Sequence, residues 1–204
     1  MQKKLQLTTQ GFLWIGFLDF LSCFPECLLH KKIKGKILTF LVLLFSISGY
    51  SQLTTENFEG GIPTSWTLFQ NSVGTSSWGI SNDGYLGGNA AYINPASENI
   101  GAGNTAQYFL VTPLVPVPAN GELRFFTKQG SAANNGTIYQ IRLSTASQPD
   151  INGFSVVLKS WTEADLNTGS PTAYEEKVVA IPDNIPVELE IYIAFVAINT
   201  QTGA

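Results

Sequence analysis

From residue 187 onward the chain alternates. Val187, Leu189, Ile191, Ile193 and Phe195 fall on one side, and Glu188, Glu190, Tyr192, Ala194 and Val196 on the other. A period of two with one wholly apolar side predicts a β-strand laid against a core. The second side loses its charge after Glu190, so the far end of this strand is expected to be covered on both faces. The rule recurs upstream. Leu123, Phe125 and Thr127 oppose Arg124, Phe126 and Lys128, and Tyr139, Ile141 and Leu143 oppose Gln140 and Arg142. Segments 90–93, 107–112, 154–161 and 174–181 read as further strands. Turn-forming clusters separate them: Asn82-Asp83-Gly84, Gly87-Gly88-Asn89, Asn134-Asn135-Gly136, Asn152-Gly153 and Pro182-Asp183-Asn184. No long stretch after residue 52 follows a helical period. Many short strands joined by Gly- and Asn-rich turns predict an all-β sandwich or jelly roll. Only the polar run 199–204 follows the last strand, so the sandwich is expected to lack its final strand and to leave a sheet edge open.

The front of the chain has a different texture. Lys31, Lys32, Lys34 and Lys36 lead into the apolar run 37–47, and Ser48, Gly49, Tyr50 and Ser51 follow. Basic, then apolar, then small residues is the order of a secretory signal peptide. The expected division is therefore an upstream extension over 1–30 from a mis-assigned start, a signal peptide over 31–51, and one domain over 52–204. The stretch 11–29 is also apolar, but Asp19, Pro25 and Glu26 interrupt it, where a spanning helix needs about twenty unbroken apolar residues. A two-span hairpin with the lysines in the cytoplasm is the alternative. Once the signal is removed, no stable membrane span remains.

Processing changes the chemistry on offer. Met1, Cys23, Cys27 and His30 all precede residue 52, so the mature part has no Met, Cys or His. That excludes a Ser-His-Asp triad, a Cys-His pair and a histidine zinc site. Cys23 and Cys27 read as two apolar positions outside the fold, since two thiols alone do not close a zinc site. The mature part carries five basic residues against thirteen acidic ones, a net charge of −8 hidden within the whole-chain value of −4. With no basic patch to neutralise phosphates, nucleic acid is not expected as a partner. Glu175 and Glu176 point to opposite faces of one strand and cannot act as a glycosidase pair. Glu163 and Asp165 could share a face, but the polar run 162–170 reads as a solvated loop. Gly101 and Gly103 lack the Lys-Ser/Thr and the following helix of a phosphate loop.

Taken in order, the segments are similar to a known family. Asn57-Phe58-Glu59 with Pro63 and Trp66 resembles the opening of the choice-of-anchor J, or cleaved-adhesin, domain of secreted Bacteroidetes-type proteins. Trp78 resembles its second tryptophan, and Ala90, Ala91 and Tyr92 its small-aromatic strand. Tyr108-Phe109-Leu110-Val111-Thr112-Pro113 resembles its D-W-L-I-T-P strand, with Tyr108 and Phe109 in place of the acid and tryptophan. Leu123 to Phe126, Tyr139 to Ser144 and Ile191 to Phe195 match three further strands of the pattern. The resemblance spans 54–202. It implies a jelly-roll β-sandwich carried by a larger exported protein, and it places Trp66 and Trp78 in the core.

The resemblance also implies a structural Ca²⁺ at one sheet edge, with Glu59 as the first-strand acid; Asp83 joins it only as an oxygen donor of the right type. Tyr85, beside Gly84 and Gly87, and Trp161, at the end of a strand, are the candidate ligand-binding rings, both expected to be exposed. The expected function is a non-catalytic, secreted or cell-surface module for adhesion or binding to extracellular carbohydrate or protein. The alternative is an accessory domain of a secreted hydrolase such as a peptidase.

Overall fold

The computed structural model describes Gln6–Leu7 and residues 55–202. The chain divides into two units, residues 1–8 with 53–204 and residues 9–52; the second lies wholly outside the described residues, as does the expected signal peptide. Among the described residues no helix is long and apolar enough to cross a membrane.

The first unit is an all-β sandwich. Its larger sheet has the order β2 (Thr67–Gln70), β5 (Thr105–Val111), β11 (Glu190–Thr200), β8 (Ile138–Ser144), β9 (Val156–Thr162), and the two-residue β6 (Val115–Pro116) also pairs with β11. All these pairings are antiparallel, and β11 sits centrally with Phe195 opposite both Leu110 and Ile141. The smaller sheet joins β7 (Glu122–Thr127) to β10 (Glu175–Ala180), and β3 (Gly79–Ser81) pairs with β4 (Ala90–Tyr92). Within residues 1–30 one strand is described. Gln6–Leu7 forms β1, antiparallel to β7, with Gln6 opposite Arg124.

Alternation decides where the core lies. On β7, Leu123, Phe125 and Thr127 are buried while Glu122, Arg124 and Phe126 are half-exposed. Leu123 and Phe125 join Tyr108, Leu110, Ile141, Leu143, Ile191, Ile193 and Phe195 of the larger sheet, with Trp66 and Trp78 in the same cluster. Phe125 and Phe195 stand edge to face at 5.3 Å across the two sheets. Burying each such ring stabilises the fold by roughly 2 kcal/mol. The other side of β11 is covered too, because Ala194, Val196 and Ile198 pack with Phe109, Val111 and Phe154. This is the double coverage that the loss of charge after Glu190 predicts.

Three expectations need correction. The last strand does not begin at Val187. Glu188 has φ of 65° and turns the chain, leaving Val187 and Leu189 exposed, and β11 runs on to Thr200. The polar run after β9 is not simply a solvated loop. Thr162 caps a one-turn helix, α1 (Glu163–Leu166), and turns Glu163 inward to 6% exposure while Asp165 stays exposed. Trp161 is not exposed. It is 9% accessible and meets Phe125 edge-on at 6.1 Å, because its neighbours Ser160 and Thr162 take the solvent side of β9.

Candidate functional site

The opening motif builds one end of the molecule. Phe58 adopts φ of 59° and is fully buried, edge-on to Trp66 at 5.5 Å. A left-handed conformation costs a bulky residue about 1–2 kcal/mol, and burial of the ring together with a 2.6 Å hydrogen bond from its N–H to the Glu56 carboxylate offsets that. The turn aims Glu59 at the loop 82–89. Asn89 donates its backbone N–H to Glu59 Oε1 at 2.9 Å, and its side-chain amide donates to the Glu59 carbonyl at 3.2 Å. Gly88 has φ of 124°, and a Cβ there would run into the Glu59 carboxylate, so both backbone and space require glycine.

The near end of the same loop is tied to β7 and β10. The Lys128 ammonium pairs with the Asp83 carboxylate, and its Nζ lies 4.8 Å from the centre of the Tyr174 ring. Tyr174 donates its hydroxyl to the Asp83 carbonyl at 2.5 Å. Burial, and then the negative charge of Asp83, push that hydroxyl up to about 12. Tyr85 stacks flat on Phe126 at 3.7 Å and meets Tyr174 edge-on at 5.7 Å. Tyr85 is thus on the loop but half-buried, with one face taken by Phe126. The residue that reaches outward is Leu86, 87% exposed at φ of 62°. Sequence reasoning passes over it because a lone leucine carries no chemical signature; its only signal is its place between Tyr85 and Gly87.

The implied calcium does not fit Glu59 and Asp83 as they are placed. Ca²⁺ takes six to eight oxygen ligands. Here the Asp83 carboxylate holds an ammonium and Glu59 Oε1 holds an N–H. Among the described residues no three acids stand together in a metal-ligating group.

Two other acids carry structure that the sequence does not announce. Glu98 Oε1 accepts the N–H and, at 2.6 Å, the hydroxyl of Thr75, while Oε2 accepts the Ser76 N–H at 3.0 Å and the Tyr108 hydroxyl at 2.5 Å. Burial raises its pKa, but the bonds from Thr75, Tyr108 and Ser76 outweigh burial and bring it down to about 2. Gly74 lets these groups converge, since a Cβ there would overlap the Tyr108 hydroxyl. Both oxygens of Glu98 are used, so it is an anchor. Glu163 differs. It borders a cleft of about 190 Å³ with Tyr92, Gln129, Asn135, Thr137 and Tyr139.

No protein-family model matches the sequence, and no curated protein matches it. Solved structures do. The K1 cleaved adhesin domain of Lys-gingipain from Porphyromonas gingivalis W83 aligns with a TM-score of 0.53 at 20% identity, over 71% of this chain and 92% of its own. The fold is cleaved-adhesin-like. The K3 cleaved adhesin domain of the same protein gives a TM-score of 0.52 at 19% identity, over 71% of this chain and 93% of its own. Within this cleaved-adhesin-like sandwich, the loop 82–89 and the Glu163 cleft each gather polar and aromatic side chains near solvent.

Proposed function

We propose that this chain is a non-catalytic adhesion or binding module of a larger exported protein, secreted or held at the cell surface. Its contact with extracellular carbohydrate or protein runs through the loop 82–89. The observation that carries this reading is the loop's construction. It is fastened at Asn89 by Glu59 and at Asp83 by Lys128 and Tyr174, yet it holds Leu86 outward in a strained conformation. A rigid, pre-ordered apolar tip loses little entropy when it meets a partner. The solved relatives of this fold are named as adhesin domains of Lys-gingipain, which supports a binding role within a larger protein. The alternative is an accessory domain beside a secreted hydrolase such as a peptidase.

The test is retention of the purified protein on glycan and extracellular-protein arrays, with Leu86→Ser and Tyr85→Ala alongside. Retention that both variants lose, with unchanged melting temperature, supports the loop contact. Retention equal in all three sinks the loop assignment. Silence of the unmodified chain on every array sinks the binding module itself.

A further inference from the structure

Glu163 is a buried acid that the core does not explain. It is 6% exposed, and no Lys or Arg pairs with it among the described residues. Its Oε2 accepts the Asn135 N–H, while Oε1 takes no hydrogen bond from the described residues and is left to the solvent of the cleft. Its backbone carbonyl is held by the Gln129 side-chain amide, which fixes the first turn of α1 against the cleft. A carboxylate withdrawn from water is costly unless a charge or several hydrogen bonds replace the lost hydration. One N–H does so only in part.

The walls of the cleft point to what completes the set. Burial, and then the charge of Glu163, hold the Tyr139 hydroxyl well above the usual tyrosine range, so that hydroxyl sits within the field of the acid. Tyr92, 38% exposed, also lines the cleft. Lys128, next in sequence to Gln129, is committed to Asp83 and Tyr174. Residues 52–204 carry a net charge of −8, which draws cations toward the surface.

We propose that the cleft binds the alkylammonium end of a lysine side chain from a partner protein, with Glu163 as counter-ion and Tyr92 and Tyr139 as its aromatic walls. The acid can only accept hydrogen bonds, so its ligand must bring donors. An ammonium brings three, along with the compensating charge, and aromatic faces attract a cation. A neutral sugar brings donors but leaves the charge uncompensated. This site stands whether or not the loop 82–89 makes a contact of its own.

The test is an NMR titration of the full chain with Nα-acetyl-lysine methylamide, following the Asn135 backbone amide that bonds to Glu163. Nα-acetyl-norleucine methylamide and neutral methyl glycosides are titrated in parallel. The lysine amide is expected to saturate the Asn135 shift, with the norleucine compound and the glycosides silent. Glu163→Gln is expected to weaken binding about tenfold or more, the scale for removing one partner of a desolvated charge pair. Tyr92→Ala, at an exposed position, is expected to weaken it several-fold; if Glu163→Gln does not fold, this variant decides. Absence of saturation in the tens of millimolar range, the weakest binding that such a contact would give, overturns the proposal. So does equal binding of the norleucine compound, glycoside binding in place of lysine, or a Tyr92→Ala affinity equal to that of the unmodified chain.

Discussion

At the scale of single residues, the acids separate by what their oxygens touch. Glu98 is fully engaged by Thr75, Ser76 and Tyr108 and its pKa is brought down to about 2. A carboxyl with a folded-state pKa below its ordinary value of 4.5 stabilises the fold above that value, and the contribution is lost as pH falls toward 2. Thermal melts between about pH 5 and about pH 2, the window that linkage sets, are expected to show this loss. Glu98→Gln is expected to be less stable near neutral pH and to have a flatter acid limb. An acid limb of equal steepness in the two proteins would show that Glu98 does not carry it. None of this is legible in the sequence, where Glu98 sits between Ser97 and Asn99 with no pattern around it. Its three partners come from a loop and a strand that only the fold brings near. Phe58 and Glu59 are the opposite case. The opening motif marks them, and the structure gives each a task, the ring in the core and the carboxylate on Asn89. What the motif does not convey is that Asp83 is already neutralised by Lys128, forty-five positions away. Calcium at millimolar concentration is therefore expected to raise the melting temperature by less than about a degree. A rise of several degrees, which ligand linkage gives for a tight site, would restore Glu59 as a ligand.

At the scale of elements, strands were easier to read than their ends. Alternation places β7, β8 and β11 within a few residues because each has one face against a core. The start of β11 is displaced because Glu188 turns left-handed, which no apolar periodicity records. β2 and β6 escape because four and two residues are too few to show a period. The helix α1 escapes for the same reason, and with it the inward turn of Glu163. The cap is the readable clue after the fact. The Thr162 hydroxyl accepts the Asp165 N–H at 3.3 Å and donates to the Asp165 carboxylate at 2.7 Å, setting the phase in which residue 163 faces in and residue 165 faces out. Thr162→Ala is expected to cost about 1 kcal/mol in urea unfolding, the usual value of an N-cap, and to broaden the Asn135 amide signal as Glu163 loses its fixed position. Thr162→Ser keeps the hydroxyl and is expected to restore both. A Thr162→Ala protein with unchanged stability and an unchanged Asn135 signal would show that packing of Leu166 alone sets the helix.

At the scale of the molecule, the sandwich is legible because its logic is repeated. Strand after strand presents one apolar side, and the two sheets have nowhere to bury those sides except against each other. The main cluster draws its residues from between Phe58 and Ala197, and the second from between Phe69 and Ile198. The expectation that residues 1–51 stand apart from the fold can be tested on this basis. Their described contribution is β1, which pairs two residues with Leu123 and Arg124 at the edge of β7. A chain starting at Gln52 keeps every described buried residue of both clusters, so it is expected to give a β-type circular-dichroism spectrum and a melting temperature close to that of the full chain. Its edge is another matter. Without β1, backbone N–H and C=O groups beside Leu123 and Arg124 are unpaired, and an open sheet edge is a template for another strand. The shortened chain is therefore expected to self-associate more readily on a sizing column as concentration rises. Arg124 bears on how strongly, because it is fixed on this strand by Glu122 and Glu176 and sets a charged side chain beside the edge. Arg124→Ala in the shortened chain is expected to increase association further, by removing the charge that discourages edge pairing. A shortened chain that loses its β spectrum would show that the upstream segment is part of the folding unit. One that stays monomeric with Arg124→Ala would show that β7 is closed by something other than β1.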